Sequence, residues 1–211
     1  MQIVFFDSGV GGLTVLEEAK ILLPNERFVY YADSDNIPYG TKSKNEINDL
    51  VFKAISFFDP KTIKALVLAC NTATSVAVND LRREFSFPII GMEPAVKPAT
   101  QLGDKRILVC ATDRTLKLDK LKDLIDDLDV LDRVDMMSLQ ELVLYAENFN
   151  FNDPGLMKYL IEKFKNFNCC IKVSFHSSNL VVHFSNTIYR NHGRKVNLIF
   201  ITNRFNVLNS I

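Results

Sequence analysis

Three places in this chain put small polar residues directly after an apolar run: Asp7-Ser8-Gly9, Cys70-Asn71-Thr72 and the segment from Thr112 to Thr115. Cys70 offers the most chemistry, because a thiolate can act as a nucleophile or as a proton-transfer base. It ends the run Ala65–Ala69 and precedes a helical pattern, and a helix N-terminus favours the thiolate. Asn71 and Thr72 add donors beside it. The plainer alternative is a buried cysteine packing as a small hydrophobe, and a lone thiol is more often that. Asp7-Ser8-Gly9-Val10-Gly11-Gly12 looks like a phosphate cradle, yet it meets neither GxGxxG nor the P-loop pattern and lacks the P-loop lysine. Such glycines also let backbone N–H groups approach a carboxylate at a helix N-terminus. A tight turn with no ligand is the alternative. Tyr39-Gly40 lies in the polar loop Asp33–Ser43, which is either a binding loop on a rigid scaffold or an ordinary turn.

These residues need strands that end, and helices that begin, at the right places. Gln2–Phe6, Arg27–Tyr31, Ala65–Ala69 and Pro88–Gly91 read as strands. Leu13–Leu23, Asn45–Phe58 and Ala73–Phe85 carry helical spacing between them. This β-α-β-α-β-α order predicts a parallel sheet covered by helices, whose turns gather at the carboxyl ends of the strands. The rhythm restarts with a strand at Arg106–Ala111, a turn at Thr112–Thr115 and a helix at Leu116–Leu128. A strand at Val134–Met137 and helices at Gln140–Asn148 and Gly155–Phe167 follow, the last capped by Asn152-Asp153-Pro154. Two prolines between Glu93 and Leu102 mark a boundary. The expected division is a first α/β domain at 1–95, a second, partial one at 96–168, and an atypical tail at 169–211. In that tail Ile171–Ser174, Leu180–Phe184 and Val196–Thr202 could be strands, and helix periodicity is missing.

The chain has 211 residues, 47% hydrophobic and 24% charged, which is ordinary globular composition. Formal net charge is zero, so nothing points to nucleic acid or a membrane surface. No apolar run approaches the roughly 20 residues of a spanning helix. The start has no basic flank or cleavage pattern, so a cytoplasmic location is expected. Cys70, Cys110, Cys169 and Cys170 form no zinc-type spacing, and no metal site is expected. The neutral total hides an asymmetry. All 25 acidic residues lie at or before Glu162, while Lys163 to Ile211 holds seven Lys/Arg, all three histidines and no acid.

Taken together, four segments resemble the glutamate racemase family, within the aspartate/glutamate racemase group. They are Phe6-Asp7-Ser8-Gly9-Val10-Gly11-Gly12-Leu13-Thr14-Val15; Tyr31-Ala32-Asp33 with Pro38-Tyr39-Gly40-Thr41-Lys42-Ser43; Leu68-Ala69-Cys70-Asn71-Thr72-Ala73-Thr74; and Pro88-Ile89-Ile90-Gly91-Met92-Glu93-Pro94-Ala95. The resemblance covers about residues 1–165. It implies two similar α/β domains with parallel sheets covered by helices and the active site between them, the second domain being incomplete here. It also implies cofactor-independent interconversion of L- and D-glutamate by two cysteines on opposite faces of the α-carbon, with D-glutamate feeding peptidoglycan synthesis. Cys70 would be one base and Asp7 its assisting carboxylate. Ser8, Tyr39, Gly40, Asn71 and Thr72 would hold glutamate. Thr112 and Thr115 match a weaker site, with Asp113-Arg114 where the family has Pro-Gly. Glu147 is matched to a second-domain acid. Glutamate is the expected partner, and the resemblance leaves a homodimer open because family members differ in how they pair.

The resemblance breaks in the tail. A second catalytic motif, Gly-Cys-Thr-His, is absent, and Val173-Ser174-Phe175-His176 aligns there, keeping His176 alone. Cys169 and Cys170 fall a few residues early. The family's final segment is also missing. With the acid-free composition, this predicts a shifted reading frame near Asn168, the alternative being a diverged tail. Two further functions therefore stay open: a glutamate-binding or regulatory protein that has lost one base, and a racemase acting on aspartate.

Overall fold

The computed structural model of the chain describes residues 1–92, 96, 106–148, 150, 152–176, 179–190 and 194–200, with side chains as far as residue 166, Lys120 excepted. The chain divides into two units, Met1–Glu93 and Pro94–Ile211.

In the first unit β1 (Gln2–Asp7) is apolar without alternation, because residues from Ile3 onward are buried on both faces of the sheet. It is flanked by β2 (Phe28–Ala32) and β3 (Ile63–Leu68), with β4 (Ile89–Gly91) outside β3, all parallel in the order β2-β1-β3-β4. Between them run α1 (Leu13–Leu22), α2 (Lys44–Ile55) and α3 (Asn71–Glu84). Alternate strand residues serve different layers. Val4, Phe6, Leu66 and Leu68 meet Val51, Ile55, Ala77 and Leu81 of α2 and α3. Ile3, Phe5, Val67 and Ala69 face Val15, Leu16 and Ala19 of α1. Full burial of each large aliphatic or aromatic side chain contributes about 1.5–3 kcal/mol.

Helix ends are where the sequence reading needs correction. α2 stops at Ile55 rather than Phe58, and it starts with a capping box: Glu46 N donates to Ser43 Oγ at 3.2 Å and Ser43 N to Glu46 Oε2 at 2.8 Å. α3 starts at Asn71, two residues before the expected start, because Cys70 itself is the N-cap. The expected loop 33–43 contains two single 3₁₀ turns, Ser34–Asn36 and Tyr39–Thr41.

The second unit has β5 (Arg106–Ala111), α4 (Asp113–Leu116), α5 (Asp119–Asp127), β6 (Val134–Ser138), α6 (Gln140–Glu147) and α7 (Pro154–Phe164). The expected single helix from Leu116 to Leu128 is thus two, and the expected turn from Thr112 to Thr115 opens the first of them. Three strands follow: β7 (Phe167–His176), β8 (Asn179–Arg190) and β9 (Arg194–Phe200). The sheet order is β6-β5-β9-β8-β7. β5 pairs in parallel with β6 and β9, as an α/β pattern requires, while β7–β8 and β8–β9 are antiparallel. Chain length explains this: two or three residues join those strands, and a parallel crossover needs a dozen or more. β7 and β8 cover the segments Ile171–Ser174 and Leu180–Phe184 and run longer, and β9 covers Val196–Phe200 of the third; Ile201 and Thr202 lie outside the described residues. Ile107, Val109 and Ala111 pack with Leu121, Ile125 and Val130. Arg106 donates from Nε and Nη2 to the two carboxylate oxygens of Asp135, at 3.0 and 2.8 Å, tying β5 to β6. That pairing holds the guanidinium above its ordinary pKa.

Candidate active site

The carboxyl edge of the first sheet gathers the predicted residues of the first unit. β1 ends at Asp7, β2 leads into Asp33, and β3 leads into Cys70. Cys70 is 8% exposed, and its sulfur accepts a hydrogen bond from Ala73 N at 3.4 Å, so it caps α3. An N–H aimed at sulfur and the positive end of a 14-residue helix both favour the thiolate over the thiol. Ser8 Oγ lies 3.5 Å from Cys70 Sγ. Ser8 and Cys70 therefore face one another across the ends of neighbouring strands.

Asp7 is 3% exposed, and its Oδ1 accepts from Gly9 N at 2.7 Å. This local bond turns the chain into the glycine segment and fixes one carboxylate oxygen. Gly12 must be glycine. A Cβ there would lie 2.7 Å from Ala69 Cβ and 3.0 Å from Asp7 Cβ, so its absence lets the first loop close against the strand that presents Cys70.

Tyr39 is buried, and its hydroxyl donates to Asp33 Oδ2 at 2.6 Å. Asn36 Nδ2 donates to Asp33 Oδ1 at 2.8 Å, and Asp33 N to Asp7 O at 3.0 Å. Burial first, then the bond to Asp33 and the charges of Asp33 and Cys70, hold the Tyr39 phenol well above its ordinary pKa. Gly40 is buried, Thr72 is buried, and Asn71 is half-buried in the first turn of α3. Asp7, Ser8, Tyr39, Gly40, Cys70, Asn71 and Thr72 thus lie in the strand ends, turns and helix start that follow the carboxyl ends of β1, β2 and β3.

The other predicted residues belong to the second unit. Thr112 follows β5 and caps α4: its Oγ1 accepts from Thr115 N at 3.3 Å and lies 3.0 Å from Thr115 Oγ1. Glu147 is the last residue of α6 and is half-buried. His176 ends β7, and its side chain, like those of Cys169 and Cys170, lies outside the described side chains. Cys110 is fully buried within β5, and desolvation pushes its thiol far up, which makes it inert. Among the described residues no cluster of three His, Cys, Asp or Glu could hold a metal ion, and no helix is long and apolar enough to cross a membrane.

Residues 15–164 match the family model described as Asp/Glu/Hydantoin racemase. The chain belongs to that family. As a member of the Asp/Glu/hydantoin racemase family it is 51% identical to glutamate racemase 2 of Bacillus subtilis (strain 168), over 79% of this chain and 64% of that protein. It is 50% identical to the glutamate racemase of Halothermothrix orenii, over 80% of this chain and 67% of the relative. Among solved structures it is similar to Escherichia coli glutamate racemase in complex with L-glutamate and an activator: TM-score 0.71, 32% identity, 78% of this chain and 63% of that one. The chain spans about two thirds of the length of the curated relatives it matches.

Two residues in this racemase-family chain lie within the resembling segments but had no role of their own in the sequence. Asp33 closes the segment Tyr31-Ala32-Asp33, and it anchors Tyr39. Thr74 Oγ1 donates to Leu68 O at 3.0 Å and accepts from Met92 N at 3.1 Å, clipping β3, α3 and the exit from β4 together. A buried threonine within a helix was the available signal.

Proposed function

We propose that this chain interconverts L- and D-glutamate without a cofactor, Cys70 exchanging the α-proton on one face of the substrate. One observation carries this: a cysteine sulfur caps a helix at the carboxyl edge of a parallel sheet and faces Ser8 at 3.5 Å. Abstracting an α-proton builds negative charge on carbon and on the neighbouring carboxylate. Fixed N–H and O–H donors aimed at that charge lower the barrier. Asp7 assists Cys70, while Ser8, Tyr39, Gly40, Asn71 and Thr72 hold the substrate. Glutamate is supported as substrate by the relatives' names and by the L-glutamate in the Escherichia coli structure. The product would serve peptidoglycan synthesis in the cytoplasm.

One feature favours a second reading. Inversion needs a proton donor on the opposite face, and residues 173–176 read Val-Ser-Phe-His, with no thiol. A serine hydroxyl is a far weaker route than a thiol of ordinary pKa about 8.5. The second reading is a glutamate-binding or regulatory protein. Incubation with L-glutamate and, separately, D-glutamate in D₂O, followed by chiral separation, tests both. The opposite enantiomer carrying α-deuterium is the expected product. Deuterium in one recovered enantiomer without inversion would mean that Cys70 works alone. Neither enantiomer gaining deuterium would leave the binding reading. The same assay with aspartate tests substrate choice.

A further inference from the structure

We propose that Tyr30 is a positioning residue for Asp7, acting through the backbone of Gly9, whose carbonyl and N–H lie in successive peptide units; this rests on the proposed α-proton chemistry. Successive residues of β2 point to opposite faces of the sheet, so Tyr30 packs with the Ile3, Phe5 and Ala69 layer under α1, while Tyr31 packs with the other layer. Tyr30 is in register with Phe5, two residues before Asp7. From there its hydroxyl reaches past the end of β1 and donates to Gly9 O at 2.6 Å. Gly9 is thus held at both ends. Its carbonyl is fixed by a side chain on a neighbouring strand, and its N–H donates to Asp7 Oδ1 at 2.7 Å. A carboxylate that assists a base must keep its other oxygen aimed at one place, and Gly9 sets that aim. The room for the phenol comes from Gly12, where a Cβ would lie 3.0 Å from Tyr30 Oη. Gly12 and Tyr30 are therefore matched: the residue lacking a side chain accepts the hydroxyl that pins the loop.

Tyr30→Phe removes the hydroxyl and keeps the ring. Through Asp7 the loss falls on the chemical step. The expected result is a kcat for α-deuterium incorporation about 10-fold lower, with KM changed less than about 2-fold. The double variant Tyr30→Phe/Asp7→Asn is expected to be no slower than Asp7→Asn alone, because the two act as one unit. Hydrogen exchange of the Gly9 amide, followed by NMR, reads the same clamp without catalysis, and Tyr30→Phe is expected to speed it roughly 10-fold. A rise in KM alone, losses that add in the double variant, or an unchanged Gly9 amide would each overturn the proposal. If the unmodified protein incorporates no deuterium, the racemase reading fails. The clamp is then decided by the Gly9 amide alone.

Discussion

At the scale of single residues, the placement of Cys70 combines two roles that usually belong to different side chains. Serine, threonine, aspartate and asparagine are the common helix N-caps. Here a thiol takes that place, accepting from Ala73 N, so the bond that starts α3 also stabilises the charged form of the sulfur. Tyr39 shows the opposite treatment. Its phenol is buried against Asp33 and held protonated. A group whose folded pKa is raised gives stability that is complete below its unfolded value and is lost as pH climbs above it. For Tyr39 that loss starts near pH 10, the ordinary phenol value. We expect Tyr39→Phe to flatten the alkaline limb of the stability curve by about 1.4 kcal/mol per pH unit, in urea titrations from pH 9.5 upward. At pH 7 the same change is expected to cost about 1–3 kcal/mol, since Asp33 loses a donor while staying buried. The position of Cys70 was legible in the sequence, because an apolar run ends there and a helix begins. The role of Asp33 was not, because its partners Asn36 and Tyr39 meet it only once the loop has folded.

At the scale of elements, strands were easier to read than helix ends. Ile3 to Phe6 and Leu66 to Ala69 are apolar at every position because both faces of a parallel strand are buried, and that pattern survives in sequence. Helix ends depend on single hydrogen bonds. The start of α2 was missed by one residue although Ser43 and Glu46 spell out a capping box. Ser43→Ala should lower stability by about 1 kcal/mol, read as a lower midpoint in urea. Thr74→Val should cost more, about 2 kcal/mol, because it leaves Leu68 O and Met92 N without the hydroxyl that joins them. A melt within a degree of the unmodified protein would contradict the clip.

At the scale of the whole molecule, the first unit follows an uninterrupted β-α-β pattern, and the second departs from it after α7. The departure coincides with the point where acidic residues stop, at Glu162. Periodicity gave no topology there, because strands joined by two or three residues can only run antiparallel, whatever their side chains. We propose a shifted reading frame near Asn168, which would account for both the acid-free composition and the absent Gly-Cys-Thr-His, the alternative being a diverged tail. Nucleotide sequence across codons 160–211 from several isolates is expected to show a single-base change that restores the motif; one intact frame throughout would contradict it. Under either result, the sulfur at position 70 is proposed to exchange the α-proton of glutamate. The most direct measurement is α-deuterium incorporation into L- and D-glutamate by the unmodified protein and by Cys70→Ala. Incorporation into at least one enantiomer, lost by about 10³-fold or more in the variant, is the predicted result. Equal rates in the two proteins, or none in either, would contradict it.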